Sequence, residues 1–200
     1  MALEFGKPTE PREVTERRVR LAARALPRHN LGNPYGHVSA RLNDHEFLVC
    51  ASRALATIAP GEPGTVVPID GPLPDGVLGE VRVHQQIYKR RPEVGGIVRT
   101  FLTDVMTLSA MGRTPKARHG FGTYFAPQPP IWMETGLLRD DALAARVAEL
   151  KGGNRAIVLR GNGCVLSGAT LEEATVMAYY LESAAKVELA FSHSRSDIAE

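Results

Sequence analysis

The chain has 200 residues, 44% of them hydrophobic and 23% charged, with a formal net charge of +2. This length suits one domain spanning residues 1–200, with its core at about 10–190, and the composition is that of an ordinary globular protein. So small a net charge gives no indication of a nucleic-acid or membrane partner, and no segment approaches the roughly 18 consecutive apolar residues that a membrane span needs.

Three further features bear on the class of protein. Residues 1–8 carry charges and no apolar core of the kind found in secretion signals, so we expect a cytoplasmic protein. Cys50 and Cys164 share no metal-type spacing with other cysteines or histidines, which favours two buried free thiols over a disulfide or a zinc site. Acidic residues are interleaved with the arginines of residues 12–28, which favours a solvated helix face over a nucleic-acid surface.

The first third of the chain predicts one helix and one hairpin. Residues 9–11 have the composition of a helix start, with Thr9 or Glu10 before a proline, and Pro27 is expected to end that helix. A loop is expected over 28–34. Residues 36–42 and 46–50 then alternate or run apolar around an Asn-Asp turn, a pattern that predicts a β-hairpin.

The rest of the chain alternates helices with strands, apart from an irregular stretch over 112–133. Further strands are predicted at 65–69, 96–101, 156–159 and 164–166, and further helices at 80–90, 104–111, 140–152 and 170–191. The two hairpins with short turns require antiparallel pairing. We therefore predict an α/β fold, a three-layer α/β/α sandwich on a central mixed, mostly antiparallel sheet.

Four short motifs follow one another along the chain. They are G-H-V-S-A-R at 36–41, I-D-G at 69–71, E-x3-H-x3-Y-x3-P at 80–92 before an apolar strand, and L-R-G-N-G at 159–163 with L-E-E-A at 171–174. Over about residues 10–190 this arrangement resembles the class II aldolase/adducin family. The resemblance implies a class II aldolase-like fold and, by family precedent, a homotetramer with its pocket at a subunit interface.

The resemblance also locates a metal site whose ligands are missing. Enzymes of the family hold a divalent metal with three histidines, two in an H-x-H strand and one in an L-R-G-H-G turn. The matching positions here are Arg99, Phe101 and Asn162. Arginine is a permanent cation, phenylalanine has no lone pair and an amide is a poor zinc ligand. We therefore expect no metal and no cofactor at this site.

Arginine is a chemically apt replacement for a metal ion. The guanidinium of Arg99 offers a fixed positive charge and planar donors to a carboxylate or enolate oxygen, worth roughly 3–4 kcal/mol of transition-state stabilisation. The resemblance puts Glu80 at the acid/base position, at a helix start where the dipole alone would also favour a carboxylate. The competing interpretation is an Arg99–Glu80 ion pair that fills the abandoned metal site.

The phosphate-binding features of the family's sugar-phosphate aldolases are also altered. Those enzymes use an asparagine in the first loop, Ser-Gly in the second and Ser-Ser before the glutamate. The matching positions here are His37, Ser52-Arg53 and Leu78-Gly79. A phosphorylated sugar therefore fits poorly, and an apolar or aromatic carboxylate fits better. Arg53 is either a clamp for an anion or a plain surface residue.

Several polar and aromatic residues complete the predicted site. His37 faces the expected pocket and can donate a proton at neutral pH, whereas His84 is expected to be a hydrogen-bonded core residue. A metal site relocated to His37, His84 and His119 is a further alternative. The remaining substrate-binding candidates are Ser39, Ser52, Phe101, His119 and Tyr124. His119 and Tyr124 lie in the irregular stretch that is expected to border the site. For Tyr124, plain packing is the alternative role.

Two functional hypotheses follow from these residues. The first is a metal-independent lyase that acts on a small non-phosphorylated oxo- or hydroxy-acid, by decarboxylation, dehydration, isomerisation or retro-aldol chemistry. Its catalytic residues would be Glu80, Arg99 and Asn162, and its partners a small organic acid and other copies of the chain. The second is a non-catalytic, adducin-like binding or assembly module, which predicts an occluded pocket.

Overall fold

The computed structural model describes residues 10–32 and 35–196. The N-terminal segment 1–8, the helix start at Thr9 and the end of the predicted 28–34 loop lie outside the described residues. The five α-helices of the described part are α1 (Arg12–Arg28), α2 (Arg82–Arg90), α3 (Thr103–Ala110), α4 (Asp141–Lys151) and α5 (Leu171–Ser196). The strands are β1 (His37–Arg41), β2 (Glu46–Val49), β3 (Thr65–Pro68), β4 (Gly96–Thr100), β5 (Ile131–Trp132), β6 (Ala156–Leu159) and β7 (Cys164–Gly168).

The strands form one sheet in the order β3-β2-β1-β4-β7-β6-β5. Every neighbouring pair is antiparallel except β5 with β6, which is parallel. Helices α1, α3 and α5 cover one face of the sheet, while α2 and α4 pack together on the other. The predicted three-layer sandwich on a mixed, mostly antiparallel sheet is therefore confirmed.

Strand alternation divides the core into two hydrophobic clusters, one on each face. In β4, Val98 faces the α1, α3 and α5 layer and Ile97 faces the α2 and α4 layer. Successive side chains of a strand point to opposite faces, so Arg99 belongs to the same face as Ile97. This alternation brings the side chains of Arg99 and α2 into one layer.

The structure differs from the sequence prediction at Pro27 and in the stretch predicted as irregular, and α5 extends beyond its predicted end at 191 to Ser196. Pro27 lies inside α1, which continues to Arg28; in the last turn a missing N–H removes only one hydrogen bond, and His29 N–H still reaches the carbonyl of Ala25 at 3.1 Å. The stretch predicted as irregular contains a 3₁₀ helix, Gly120–Phe125, and the two-residue strand β5. A single short 3₁₀ helix and a strand of two residues are too short to show a hydrophobic period in the sequence, and β5 pairs only with the distant strand β6.

Two other sequence predictions concern the described part as a whole. Both cysteines are buried and free, as predicted. Within residues 10–32 and 35–196, no helix is long and apolar enough to cross a membrane.

Candidate functional site

A cavity of about 330 Å³ lies where β4 ends, between the turn that joins β6 to β7 and the segment that leads into α2. It brings together most of the side chains that the sequence predicts for the site. Those in its wall are His37, Ser52, Arg53, Glu80, Arg99, Phe101 and Asn162.

Strand pairing sets His37 beside Arg99. The two residues are Cα partners in the antiparallel ladder between β1 and β4. Gly36, just before β1, has φ +140°, and a Cβ there would lie 2.5 Å from the Arg99 carbonyl oxygen. Only glycine accommodates both the dihedral angle and this close approach, so the motif around Gly36 serves to hold the first strand against β4.

A second glycine brings Asn162 to Arg99. Gly163 has φ +72°, and a Cβ there would lie 2.2 Å from the Thr100 carbonyl oxygen and 2.8 Å from Nη1 of Arg99. The turn between β6 and β7 can therefore pack directly on β4. As a result, Oδ1 of Asn162 accepts a hydrogen bond from Nη2 of Arg99 at 3.1 Å.

Arg99 is a buried cation without a carboxylate partner within ion-pair distance among the described residues. It is 5% exposed, Nη1 donates to the Thr100 carbonyl at 3.1 Å, and its guanidinium lies 4.3 Å from the Phe101 ring centre. Burial lowers the pKa of Arg99 to about 10, while Cys164 and Glu80 act in the opposite direction. The side chain therefore remains positively charged at neutral pH.

The residues at the family's metal positions do not fit a divalent metal. The Arg99 guanidinium occupies the space between the Phe101 ring and the Asn162 amide, so a positive charge already stands where the ion would be. In the part of the chain that the structure describes, no group of three or more His, Cys, Asp or Glu side chains is arranged to hold a metal ion.

Glu80 pairs with a residue that the sequence did not indicate. Nε of Arg139 lies 3.1 Å from Oε1 of Glu80, and the Arg139 side chain packs over Gly79, where a Cβ would come within 2.8 Å of it. The alternative of a direct Arg99–Glu80 ion pair is therefore wrong. Glu80 still lies close enough for its charge to favour the cationic form of Arg99 and so to raise its pKa.

Arg53 and Ser52 line the same cavity, on the segment that follows β2. Arg53 is about half exposed and pairs with Glu62 at 3.0 Å. Because an exposed pair of this kind is worth only about 0–1 kcal/mol, it leaves the Arg53 guanidinium available to a ligand at the mouth of the cavity.

A chain of hydrogen bonds runs from the cavity into the core. Nδ1 of His37 lies 2.9 Å from Nε2 of His84, and Nδ1 of His84 lies 2.7 Å from Oγ of Ser39. Ser39 in turn contacts the Tyr88 hydroxyl at 3.0 Å. Ser39 is completely buried and lies behind the cavity wall, which corrects its prediction as a substrate contact, whereas His84 is the hydrogen-bonded core residue that we predicted.

Two predicted site residues lie elsewhere. His119 and Tyr124 belong to the 3₁₀ helix that packs on α5, on the opposite face of the sheet from Arg99. His119 contacts Phe121, and Tyr124 contacts Tyr180, and neither lines the cavity in this chain. The alternation of strand faces separates His119 from His37, so a relocated metal site of the three histidines does not form in the described structure.

The cavity also contains residues that sequence reasoning missed. They come from three loops, and they are Tyr35, Ala54, Leu137 and Arg139. The residues at 137–139 approach the site because Leu138 is buried against the α2 and α4 layer. A single buried leucine in an irregular stretch is too common a pattern to have indicated this.

Known structures share the fold. L-fuculose-1-phosphate aldolase from Thermus thermophilus superposes with a TM-score of 0.82 at 24% identity, over 92% of this chain and 97% of that chain. An aldolase II superfamily protein from Pseudomonas syringae gives a TM-score of 0.74 at 24% identity, over 89% of this chain and 76% of the other. At such identities the likeness concerns the fold alone.

Sequence comparison finds relatives with a named activity. The 3,4-dihydroxyphthalate decarboxylase of Terrabacter sp. (strain DBF63) is 27% identical over 177 residues, which cover 77% of this chain and 71% of the relative. The enzyme of the same name from Arthrobacter keyseri is 25% identical over 188 residues, covering 86% and 76%. Residues 17–189 match the family described as Class II Aldolase and Adducin N-terminal domain. The chain therefore belongs to the class II aldolase and adducin family.

Proposed function

We propose that this protein is a lyase that acts on a small non-phosphorylated oxo- or hydroxy-acid without a divalent metal, using Arg99 in the metal's place. The observation that carries the proposal is the state of Arg99, a cation that is 5% exposed and lines the cavity. Among residues 10–32 and 35–196, its hydrogen bonds go only to neutral oxygens. Decarboxylation is the first reaction to consider because the relatives are named decarboxylases.

The energetics of Arg99 favour an anionic ligand. Burying an ion costs several kcal/mol even after the protein relaxes around it, and two neutral hydrogen bonds of roughly 1 kcal/mol each do not offset that. A guanidinium has five N–H donors, of which two are engaged with Thr100 and Asn162. The remaining donors can receive a carboxylate or enolate in the planar, two-oxygen arrangement that arginine prefers.

The chemistry of decarboxylation assigns a role to each catalytic candidate. In an acid whose carboxylate stands β to a carbonyl, the carbon–carbon bond to the carboxylate breaks and its electron pair forms the double bond of an enolate, with the negative charge on the former carbonyl oxygen. Carbon dioxide leaves, and the carbon then takes up a proton. Arg99, oriented by Asn162, stabilises the oxygen that becomes negative. Glu80 delivers the proton from water, and His37 contacts a polar group of the substrate.

The cavity wall favours an apolar acid over a sugar phosphate. Leu78 occupies one of the positions at which phosphate-binding relatives carry serine, and the stem of Arg139 covers Gly79 at the other. Phe101 and Leu137 extend this apolar surface, so an aromatic ring can pack while its carboxylate reaches Arg99. Arg53, at the mouth, supplies a second cation for a substrate with two carboxylates.

The test is carbon dioxide release from 3,4-dihydroxyphthalate, followed by a panel of oxo-, hydroxy- and aromatic acids, with protein dialysed against a chelator. We expect turnover to survive chelation and to fall roughly 10²–10³-fold in Arg99→Ala, the loss typical of one positioned donor. Near-intact turnover in Arg99→Ala, or turnover that disappears with the metal and returns with it, would contradict the proposal.

The alternative is a non-catalytic module that keeps the fold for binding or assembly. It predicts an occluded site, and a cavity of about 330 Å³ lined by three arginines and a glutamate does not support it. A thermal-shift screen with aromatic and aliphatic acids separates the two hypotheses. If no acid raises the melting temperature and none is turned over, the non-catalytic module becomes the better account.

We also propose that the chain assembles with copies of itself, as a tetramer by family precedent. The supporting feature is a set of exposed apolar side chains where α5 meets the 3₁₀ helix, comprising Phe121, Tyr124, Val176 and Tyr179. Contiguous exposed apolar surface of this kind is typical of interaction sites. Sedimentation equilibrium measures the mass of the assembly, and a monomer at micromolar concentration would exclude it.

The two free thiols accord with a cytoplasmic location, which we propose for this protein.

A further inference from the structure

We propose that Tyr88, Ser39 and His84 are positioning residues that fix the tautomer of His37, so that its Nε2 presents a lone pair to the cavity and selects a hydroxy-acid over the matching oxo-acid. The inference rests on the proposed function for the acid, and it adds which of the two acid classes the site prefers. The three residues lie behind the cavity wall and do not line the cavity.

Counting the hydrogens available to each group shows in which direction the hydrogen bonds from Tyr88 to His37 are donated. The Tyr88 hydroxyl is 3.1 Å from the Ser39 backbone carbonyl, which can only accept, and 3.0 Å from Ser39 Oγ. A tyrosine hydroxyl has one hydrogen. Both contacts are satisfied when Tyr88 donates to the carbonyl and the Ser39 hydroxyl donates to Tyr88, which leaves Ser39 Oγ as an acceptor for His84.

The same count continues to the cavity. Ser39 Oγ must receive its hydrogen bond from Nδ1–H of His84, at 2.7 Å. The other nitrogen of His84 then has a lone pair and accepts from Nδ1–H of His37, at 2.9 Å. Both rings are neutral, since burial and the nearby charge of Arg99 lower the pKa of each histidine. We therefore assign His37 as the Nδ1–H tautomer, which replaces the expectation that His37 donates a proton into the cavity.

The remaining nitrogen of His37 faces the ligand. His37 lines the cavity, its Nδ1 is engaged with His84, and its Nε2 has no hydrogen-bond partner in the described residues. As an acceptor it can bond a hydroxyl hydrogen but repels the lone pairs of a carbonyl. Because His37 and Arg99 are Cα partners on neighbouring strands, an acid held by Arg99 presents its 2-substituent to His37.

Two matched probes read this preference. Mandelate and phenylglyoxylate share a phenyl ring and a carboxylate, and they differ in carrying a 2-hydroxyl or a 2-oxo group. By isothermal titration calorimetry we expect the better-bound enantiomer of mandelate to bind roughly three- to tenfold more tightly than phenylglyoxylate, the range of one net hydrogen bond. Equal affinities, or a preference for phenylglyoxylate, would overturn the proposal.

The variant Tyr88→Phe tests the chain of hydrogen bonds directly. Without the tyrosine hydroxyl, the Ser39 hydrogen stays bonded only if it turns to Nδ1 of His84. This reverses every bond in the chain and leaves His37 with Nε2–H. The preference for mandelate should then fall to about equal affinity or invert. Thr107→Val, which removes an exposed hydroxyl from α3, is the control and should behave as the unmodified protein.

Nitrogen-15 NMR of the histidine side chains at pH 7 measures the tautomer independently of any ligand. We expect Nδ1–H for His37 in the unmodified protein and Nε2–H in Tyr88→Phe. If that variant does not fold, Ser39→Ala interrupts the chain of hydrogen bonds and should give His37 as a mixture of its two tautomers. A His37 that is cationic, or protonated at Nε2, in the unmodified protein contradicts the inference. If neither acid binds, acid binding itself fails, and the NMR result alone decides the role of the chain.

Discussion

Nη2 of Arg99 donates a hydrogen bond to Oδ1 of Asn162 at 3.1 Å, and these side chains stand at two of the three positions where enzymes of the family carry metal-ligand histidines. At the third position, the Phe101 ring lies against the same guanidinium. The three replacements thus form one contact group rather than three unrelated losses. Such a group places a fixed positive charge in the cavity, which is the property that a bound metal ion would also provide.

Arg99→Met should raise the free energy of unfolding of the ligand-free protein by roughly 1–2 kcal/mol, because it replaces a buried charge that has no carboxylate partner within ion-pair distance with an apolar chain. Urea denaturation measures the difference. Arg12→Met, at an exposed position, is the control and should change stability by less than about 0.5 kcal/mol. A loss of more than about 1 kcal/mol in Arg99→Met would mean that Arg99 serves stability rather than ligand binding.

Asn162→Asp should weaken the binding of acids by about tenfold or more. The new carboxylate would stand where Oδ1 now accepts from Arg99, at 3.1 Å, and would compete with the ligand for the same charge. Asn162→Ser is the matched control, since it removes the amide and adds no charge. Calorimetric titration with mandelate compares the variants, and equal affinity in Asn162→Asp and Asn162→Ser would exclude this electrostatic account.

Restoring the family's histidines should restore a metal site. The combined substitutions Arg99→His, Phe101→His and Asn162→His remove the guanidinium and supply three imidazoles at positions already in contact. We expect the triple variant to retain about one equivalent of zinc or another divalent metal, measured by elemental analysis after dialysis. Arg99→His alone should not, since one imidazole is too few ligands, and a metal-free triple variant would mean that the backbone positions have diverged.

Acid should destabilise the protein through its buried histidines. Burial and the charge of Arg99 lower the pKa of His84 to about 3, and burial, His84 and Arg99 lower that of His37 well below its ordinary value. Histidine in the unfolded chain takes up a proton near pH 6.5. Between about pH 6.5 and 3 the unfolded state therefore binds more protons, and stability falls as the pH falls. His84 contributes about 1.4 kcal/mol per pH unit in that window, and the lowered pKa of His37 acts in the same direction.

His84→Gln separates this effect from the titration of carboxylates. The amide can still contact Ser39 and His37 but takes up no proton, so the loss of stability from pH 6.0 to 5.0 should shrink by about 1 kcal/mol. Chemical denaturation at pH 7.5, 6.0 and 5.0 gives the comparison. His45→Gln, at an exposed histidine, serves as the control. Parallel curves for His84→Gln and the unmodified protein would show that His84 does not set the acid limit.

The sequence predicted those parts of the fold that depend on local pattern. The hairpin of β1 and β2 follows from alternation around a turn, where Oδ1 of Asn43 accepts from the N–H groups of His45 and Glu46 at 2.8 and 2.9 Å. The start of α5 follows from Thr170, whose hydroxyl accepts from Glu173 N–H at 3.1 Å. Strand β5 was missed because two residues carry no period and pair only through a distant neighbour, β6.

The sequence predicted the positions of those site residues that strand register brings together. It did not predict the positions that depend on the packing of loops. Arg99, His37 and Asn162 are brought together by the ladder and by a glycine turn, both of which have a sequence pattern. The position of the 3₁₀ helix depends instead on Phe121 stacking on Tyr180 at 4.4 Å, which carried the predicted His119 to the other face. For the same reason the partner of Glu80 was missed, since Arg139 arrives on an irregular segment.

The central claim is that an arginine has taken over the place of the metal ion, and elemental analysis of the purified, tag-free protein tests it most directly. Inductively coupled plasma mass spectrometry gives the amounts of zinc, iron and manganese per chain. The account predicts far less than one equivalent of any of them, in protein that still binds or turns over an acid. About one equivalent per chain, as a family metal site would hold, would contradict it and remove Arg99 from its proposed role.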